Sequence, residues 1–393
     1  MRILFNIIFS AILLIGLVGF WALFLNLWKP KKKWPAWVGY IIIIGAWFAA
    51  IRYYILNQVD LYGTMYYPLM NMFRTESYGL LFGVFLAIPV FIILSLLYWT
   101  INKIWSKTPE ENRTGRRAFF RTAATIVPLA SIGGSSYAAF AGQQELVVTH
   151  ESFGYTNLPP GLKNYKIVQL SDIHIGPSID LDDFDEILKL ALLQKPNRVV
   201  ITGDLIDKLA WLPQVCERLT TFAKQIPDGV DFILGNHEYH HDVNKVLDAL
   251  KRNTPMNILV NSNIQIMGGK QPVYIAGVAY DNDREKEKRE AMIDKALSGI
   301  PDYAFVILLA HHPEFFEESI ERKIPLTLSG HTHGGQIVFM GMPLVPTGTP
   351  YTKGRYVEEQ SVCYVNNGTG HWFPIRINCP REITVITFFD GVA

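Results

Sequence analysis

Two patterns of apolar residues divide the chain near residue 144. In the first part, apolar residues form uncharged runs of 18 to 26 residues, which is the length that a helix needs to cross a bilayer. From residue 165 onward, short runs rich in Val and Ile alternate with amphipathic stretches, which is the pattern of an α/β fold. We therefore expect a transmembrane region over residues 1–144 and a globular domain over residues 145–393.

The first region is predicted to contain about four helical spans. They are placed at 3–28, 34–56, 77–102 and 122–144. The first three are uncharged apart from Arg52, and Trp residues lie near their ends, as is typical of membrane interfaces. The fourth is rich in Ala, Ser and Gly and contains Pro128. It follows Arg116 and Arg117, which fit either a twin-arginine export signal or ordinary cytoplasmic anchors. Cleavage and full crossing of this span both stay open.

Charge is distributed unevenly between the two parts. Residues 1–144 contain 13 Lys and Arg against 4 Asp and Glu, whereas residues 145–393 contain 23 against 31. The basic residues lie in the first and third loops, and the second loop has only Arg74. Because cytoplasmic loops carry the excess of Lys and Arg, we expect a multi-pass protein of the cytoplasmic membrane with its globular domain on the extracytoplasmic side. The acidic domain is a poor candidate for binding nucleic acid.

The cysteine content is low. The chain contains Cys216, Cys363 and Cys379, whose spacing forms neither a metal-binding cluster nor a disulfide framework. Cys363 and Cys379 could pair in an oxidising compartment, but sequence says nothing of the distance between them. This pairing is therefore the less favoured of two open readings.

The globular domain is predicted to alternate strands with helices. The strands are Lys166–Leu170, Arg198–Thr202, Asp231–Leu234, Val273–Val278, Phe305–Leu309, Pro325–Leu328 and Ile383–Phe389. The helices are Leu181–Leu193, Pro213–Gln225, His241–Lys251, Lys286–Leu297 and Glu314–Arg322, with Asp180 as the N-cap of the first. A layered α/β domain with central sheets follows from this alternation.

Polar side chains follow five of the predicted strands. In chain order they are Asp172 and His174, Asp204 and Asp207, Asn236 to Glu238, His311, and His331 with His333. Ligand sites of open α/β sheets lie at the carboxyl ends of strands, so we expect these side chains to converge on one site.

The residue types indicate a metal site. Imidazole and carboxylate together suit Mn, Fe or Zn better than Ca or Mg. The seven candidate ligands are Asp172, His174, Asp204, Asn236, His311, His331 and His333. Since one metal takes four to six ligands, seven suggest two divalent metals that share a carboxylate, an arrangement that serves phosphoester hydrolysis.

These motifs resemble those of the calcineurin-like metallophosphoesterase superfamily. The shared pattern is D-x-H, G-D-x-x-D, G-N-H-[DE], a lone His after a strand, and G-H-x-H, in this order. The sequence Gly-His-Thr-His-Gly-Gly-Gln at 330–336 is similar to that of the membrane-anchored bacterial branch. The resemblance covers about residues 150–393 and implies a sandwich of two mixed β-sheets flanked by helices.

The resemblance also implies a role for each residue. Asp172, His174 and His333 would hold one metal, Asn236, His311 and His331 the second, and Asp204 would bridge them. A hydroxide between the metals would attack phosphorus. His237 would protonate the leaving oxygen as general acid, and Asp207 would orient its imidazole, with Glu238 as a competing partner.

The protein is expected to be a membrane-bound phosphoesterase that hydrolyses a phosphoester or pyrophosphate. Because the anchor keeps the site near the bilayer, we expect this substrate to be linked to a lipid. An alternative is a transmembrane sensor or transport module with a regulatory phosphoesterase domain. A catalytically inactive binding domain is disfavoured because all seven ligands and His237 are present. His371, Tyr280 and Asp281 are candidates for the border of the site, and His312 is expected to point elsewhere.

Overall fold

The computed structural model describes residues 61–104, 110–176, 178–280, 285–372 and 375–391, together with Leu14, Val18, Trp21 and Leu25. The chain divides into two compact units, Met1–Gly142 and Gln143–Ala393. In the first unit, helix α1 spans Tyr67–Ile104 and helix α2, which begins at Glu110, continues to Gln144. Pro89 lies inside α1.

The predicted membrane spans fall partly within these helices. Residues 77–102 lie in α1 and residues 122–144 lie in α2, so both segments are helical. The predicted spans at 3–28 and 34–56 lie outside the described residues, apart from the four single positions. Among the residues that the structure describes, no helix has both the length and the apolar composition required to cross a membrane. The spans therefore stay predictions.

The second unit contains a six-stranded mixed sheet in the order β1-β14-β2-β3-β4-β5. All neighbours pair in parallel except β14 and β2, which are antiparallel. The strands are β1 Leu146–Tyr155, β2 Lys166–Leu170, β3 Arg198–Thr202, β4 Val230–Ile233, β5 Asn257–Ile258 and β14 Arg381–Asp390.

A second six-stranded mixed sheet has the order β12-β13-β9-β8-β7-β6. Strands β7, β8, β9 and β13 run in parallel, and the two edge strands are antiparallel to their neighbours. The strands are β6 Ser262–Met267, β7 Val273–Gly277, β8 Phe305–Leu309, β9 Leu326–Ser329, β12 Gly354–Glu358 and β13 Ser361–Val365. A separate two-stranded hairpin pairs β10, Val338–Phe339, with β11, Met342–Pro343.

Six helices connect these strands. They are α3 Leu181–Leu193, α4 Leu212–Ala223, α5 Asn236–His241, α6 Val243–Asn253, α7 Lys286–Leu297 and α8 Phe315–Glu321. Short 3-10 turns lie at Pro160–Leu162, Leu209–Trp211 and His333–Gly335. Asp180 caps α3 as predicted, because its side chain accepts the backbone N–H groups of Asp182 and Asp183.

One apolar core lies between the two sheets. Ile167 of β2, Val200 of β3 and Ile233 of β4 are fully buried in the same cluster as Ile307 of β8 and Leu328 of β9. Because both sheets contribute inward-facing side chains to one cluster, the unit is an α/β sandwich of two mixed sheets, as predicted. All three cysteines are buried and free, so the structure contains no pair between Cys363 and Cys379.

Candidate metal centre

The carboxyl ends of five strands meet at one edge of the sandwich. Asp172 follows β2, Asp204 follows β3 and Asn236 follows β4, while His311 follows β8 and His331 follows β9. Parallel pairing aligns these ends within each sheet, and the packing of the sheets brings the two sets together. The predicted convergence is therefore present.

Several site residues have strained backbones. Asp172, His174, Asp204, His331 and His333 all have φ between 50° and 71°, a left-handed conformation that residues with a Cβ adopt rarely. Such strain persists only where the surrounding structure enforces it, and it clusters at functional sites.

Glycine at 203 permits the close approach of these loops. Gly203 has φ 91°, and a Cβ there would lie 2.6 Å from Nδ1 of His311 and 2.8 Å from the backbone of Gly235. Only glycine lets the loops after β3 and β4 pack at this distance. A glycine at 203 is thus required by the geometry beside Asp204.

One group of candidate ligands consists of Asp172, His174 and His333. Nε2 of His174 lies 3.0 Å from Nε2 of His333, which in turn lies 3.5 Å from Oδ1 of Asp172. All three residues are buried. Their ligand atoms lie within 4.8 Å of one another, close enough to hold one ion together.

The second group consists of Asn236, His311 and His331. Oδ1 of Asn236 lies 3.0 Å from Nε2 of His311 and 2.9 Å from Nδ1 of His331. Nδ1 of His311 donates to the carbonyl oxygen of Thr202 at 2.8 Å, which leaves Nε2 directed into the site. This second set of nitrogen and oxygen donors thus also converges.

Asp204 lies between the two groups. Its Oδ2 is 3.6 Å from Nε2 of His174 in the first group and 3.3 Å from Nε2 of His311 in the second. Its Oδ1 accepts the backbone N–H of His237 at 2.8 Å. A single carboxylate oxygen thus reaches both sets of donors, which is the position that a bridging ligand requires.

Burial and neighbouring charges shift the pKa values of several candidate ligands. Burial opposes ionisation of the Asp204 carboxyl, but the nearby imidazoles of His311, His237 and His174 outweigh it and hold its pKa well below the usual value. Burial and the neighbouring His174 lower the pKa of His333, so its imidazole stays neutral. Burial lowers the pKa of His311, but the Asp204 carboxylate outweighs it and raises the pKa to about 10, while burial raises the pKa of Asp172. A metal ion must therefore displace protons from these two ligands when it binds. The nitrogen and oxygen donors themselves are of the types that suit two divalent ions.

His237 is paired with Asp207. The two side chains approach to 2.6 Å between Nδ1 of His237 and Oδ1 of Asp207. Burial lowers the pKa of His237, but the hydrogen bond to Asp207 and the nearby Asp204 carboxylate outweigh it and raise the pKa to about 9. The imidazolium is thus stabilised, and its side chain is 12% exposed. His237 can therefore carry a proton to an incoming ligand.

The same Asp207 oxygen is shared with two other imidazoles. It lies 3.3 Å from Nδ1 of His174 and 3.4 Å from Nε2 of His241. The ring centroid of His240 is 5.3 Å from that of His237. From the sequence, His240 and His241 are expected to open a helix and to be either solvated or at the rim of the substrate site.

Glu238 has a different set of partners from the one considered in the sequence. Its fully buried carboxylate accepts the backbone N–H groups of Gly235, Asp204 and Leu205 at 2.7 to 3.0 Å. These bonds connect the loop after β4 to the loop after β3. Glu238 therefore holds the two loops together, and Asp207 is the carboxylate that contacts the His237 side chain.

Arg376 is a site residue whose role the sequence did not reveal. Its buried guanidinium donates to the carbonyl oxygens of Asn367 and Gly370, each at 2.8 Å, and lies 3.2 Å from Nδ1 of His333. Burial lowers the pKa of Arg376 to about 10. The signal in the sequence was that Arg376 lies in a stretch before the last strand, from Asn367 to Ile383, that is similar to the same stretch of the membrane-anchored bacterial branch. Arg376 thus holds the carboxyl-terminal loop against His333.

The remaining residues lie around these groups. The Tyr280 ring centroid is 6.2 Å from those of both His311 and His331, so Tyr280 borders the second group. Nδ1 of His312 accepts the backbone N–H of Glu314 at 3.3 Å. His371 is buried, and Asp281 lies outside the described residues.

Comparison with known proteins identifies the family. Residues 165–335 match the model of the calcineurin-like phosphoesterases. A metallophosphoesterase of Bacillus subtilis, YkuE, is 30% identical over 65% of this chain and 90% of its own length. One of Campylobacter jejuni, Cj0846, is 36% identical over 58% of this chain and 60% of its own length. A zebrafish relative, named a transmembrane protein with a metallophosphoesterase domain, is 28% identical over 79% of this chain and 74% of its own length.

The chain belongs to the calcineurin-like metallophosphoesterase family, as its motifs predicted. The alignment with the Campylobacter relative spans less than two thirds of that protein. The assignment of individual ligands stays a prediction that metal binding must test.

Proposed function

We propose that this protein is a membrane-bound phosphoesterase that hydrolyses a phosphoester or pyrophosphate bond with two divalent metal ions, Mn, Fe or Zn. The observation that carries the proposal is the position of Asp204, whose Oδ2 lies within 3.6 Å of donors from both ligand groups. When bound, such metals polarise the phosphoryl group and activate water. Asp172, His174 and His333 would hold one ion, Asn236, His311 and His331 the other, and Asp204 both.

The protein's own side chains would handle the leaving group. His237 is held by Asp207 through Nδ1, which leaves Nε2 available to donate a proton. A positioned general acid contributes when the departing oxygen is basic. Asp207 keeps the imidazole oriented and favours its protonated form. The buried surroundings of both ligand groups limit the access of water.

The function is tested with the full chain in detergent. We expect about two divalent ions per chain, and chelation should abolish hydrolysis of bis(4-nitrophenyl) phosphate. Adding back Mn, Fe or Zn should restore it. His331→Ala should lower both metal content and turnover, whereas His150→Ala, at an exposed position of β1, should change neither. Hydrolysis that persists without metal would contradict the proposal.

A lipid-linked substrate and a membrane anchor are part of the proposal. The uncharged run at 3–28 supports the anchor, as does the naming of the zebrafish relative as a transmembrane protein. An anchored domain meets substrates at the bilayer surface more often than substrates in solution. The phosphoryl group of a lipid is therefore the substrate that we propose.

The orientation can be tested with reporters. The excess of Lys and Arg in the first and third loops predicts that the carboxyl terminus is extracytoplasmic. A phosphatase reporter that is active only after export should be active when fused after Ala393. The matched control, fused after Lys33 in the first loop, should be inactive. If the activities are reversed, the catalytic domain is cytoplasmic.

A further inference from the structure

An apolar hairpin projects from the loop that carries His331 and His333. It consists of β10, β11 and the following residues to Val345, and begins five residues after His333. Its exposed fractions are 82% at Met340, 64% at Met342, 59% at Phe339 and 60% at Leu344. Exposed apolar patches of this kind mark interaction surfaces. No part of the proposed catalytic chemistry uses these side chains.

The turn of the hairpin is unusual in composition. Phe339 pairs with Met342, so the two-residue turn is Met340-Gly341, and both residues have positive φ, at 50° and 82°. Turns with two positive φ angles strongly favour Asn-Gly or Asp-Gly, whose polar side chains tolerate this conformation. Methionine has no such advantage, and here it is the most exposed large apolar side chain of the hairpin. Neither turn geometry nor solvation accounts for Met340, which points to a binding role.

The base of the hairpin is firmly held. Val338 is buried, its backbone N–H donates to Ile377 at 3.0 Å, and its carbonyl accepts from Nδ2 of Asn378 at 3.1 Å. Leu344 donates its backbone N–H to Ile337 at 2.8 Å. The apolar tip is therefore carried on a fixed base beside the metal centre, rather than on a free loop.

The charge pattern around the hairpin favours lipid as its partner. Residues 337–352 contain no charged side chain, and the first charge after them is the exposed Lys353. An apolar tip next to a basic residue suits insertion between lipids with attraction to anionic head groups. A stable protein interface buries about 1,200–2,000 Å² in total, more than a tip of four or five side chains offers a second copy.

We propose that this apolar hairpin inserts into the lipid bilayer and so holds the metal centre at the membrane surface. The hairpin would enter the boundary between head groups and acyl chains, in the leaflet that faces the catalytic domain. Only the consequence of insertion rests on the proposed function: an inserted hairpin would present a lipid-borne phosphoryl group to His331 and His333. Insertion itself is measurable without any turnover.

Insertion is tested by labelling Met340→Cys in the full chain with an environment-sensitive fluorophore. The three native cysteines are buried, so the label is selective. In vesicles of phosphatidylcholine and phosphatidylglycerol, we expect a blue shift and strong quenching by nitroxide-bearing lipids. The control Tyr303→Cys is 64% exposed and lies before β8, at the opposite end of that strand from His311, so it should show neither effect.

A second variant tests the consequence of insertion. Replacing Phe339, Met340 and Met342 together by Ser should lower hydrolysis of vesicle-borne phosphatidyl-4-nitrophenol by about tenfold or more, because three apolar side chains lose their transfer to lipid. Hydrolysis of soluble bis(4-nitrophenyl) phosphate should stay within about twofold, since none of the three residues belongs to the metal centre.

Several outcomes would overturn the inference. The first is a label at 340 that is quenched no more than the label at 303. The second is quenching that depends on protein concentration rather than on lipid. The third is an equal loss of hydrolysis on both substrates. If the unchanged protein hydrolyses neither substrate, the proposed function fails, while the lipid quenching at position 340 still decides insertion.

Discussion

An Asp204→Asn variant is expected to lose metal from both ligand groups, so that the content falls from about two ions per chain to about one or none. The physical reason is that Oδ2 of Asp204 reaches donors of both groups, at 3.6 Å from His174 and 3.3 Å from His311. Loss of turnover should exceed the roughly 10–100-fold that removal of an outer-sphere partner costs. Metal content measured by mass spectrometry and turnover of bis(4-nitrophenyl) phosphate provide the check.

Two control variants make this result specific. Asn236→Ala removes one ligand of one group and should lower the content by about one ion. Asp207→Asn changes a carboxylate that lies 3.3 Å from Nδ1 of the ligand His174 but is not itself a proposed ligand. It should weaken metal affinity by about 10–100-fold and still bind both ions when metal is saturating. Thermal unfolding of each variant separates metal loss from misfolding. If Asp204→Asn retains both ions, Asp204 does not bridge.

The strands that surround the metal centre could be predicted because they are continuous apolar runs. Strands β2, β3 and β8 match the predicted bounds residue for residue, and apart from the half-buried Lys166 all of their residues are buried. A central parallel strand is covered on both faces, so its sequence carries no polar alternation. The polar residues directly after such runs were therefore readable as site candidates.

The edge strands were missed for the opposite reason. Strand β1, Leu146–Tyr155, is mostly half-buried and mixes polar with apolar residues, and the alternating pattern of β6 is no stronger. Their pairing partners determine them, since β1 pairs over ten residues with β14 at the other end of the chain. Pairing between residues so far apart is a tertiary property that no local pattern contains.

Helix boundaries near the site were also altered by tertiary contacts. The predicted helix His241–Lys251 corresponds to α6, from Val243 to Asn253, whereas His241 ends a separate short helix, α5, that begins at Asn236. Asp242 separates them, and its side chain accepts the backbone N–H of Lys245 as an N-cap. Helix α5 begins immediately at the candidate ligand Asn236, which fixes its side chain at the end of β4.

The partners of the site carboxylates could be resolved only in three dimensions. Sequence left both Asp207 and Glu238 as partners of His237, because one lies in the preceding motif and the other is adjacent. In the structure, the Glu238 carboxylate accepts three backbone N–H groups, whereas the Asp207 carboxylate contacts the imidazole of His237. Arg376 similarly acts through loops that are distant in sequence. Motifs identify chemical groups, whereas hydrogen-bond geometry assigns their partners.

A His237→Ala variant is expected to keep both metals and to lose turnover mainly on substrates with poor leaving groups. The loss on alkyl phosphodiesters should be about 10²–10⁴-fold, the usual contribution of a general acid. Aryl esters such as bis(4-nitrophenyl) phosphate should lose much less, because nitrophenolate departs without protonation. Metal retention is expected because Asp204 contacts the backbone N–H of residue 237, which alanine preserves.

The ratio of alkyl to aryl turnover distinguishes proton donation from simple electrostatic contact with the phosphoryl group. Asp207→Asn should shift this ratio in the same direction but less far, because the imidazole remains while its 2.6 Å hydrogen-bond partner is weakened. His241→Ala, whose ring lies 3.4 Å from the same Asp207 oxygen, should leave the ratio nearly unchanged. If His237→Ala lost the same turnover on alkyl and aryl substrates, His237 would be assigned to phosphate binding alone. Removal of a general acid cannot slow the departure of a leaving group that needs no proton, so the loss on the aryl substrate would have to come from weaker contact with the phosphoryl group.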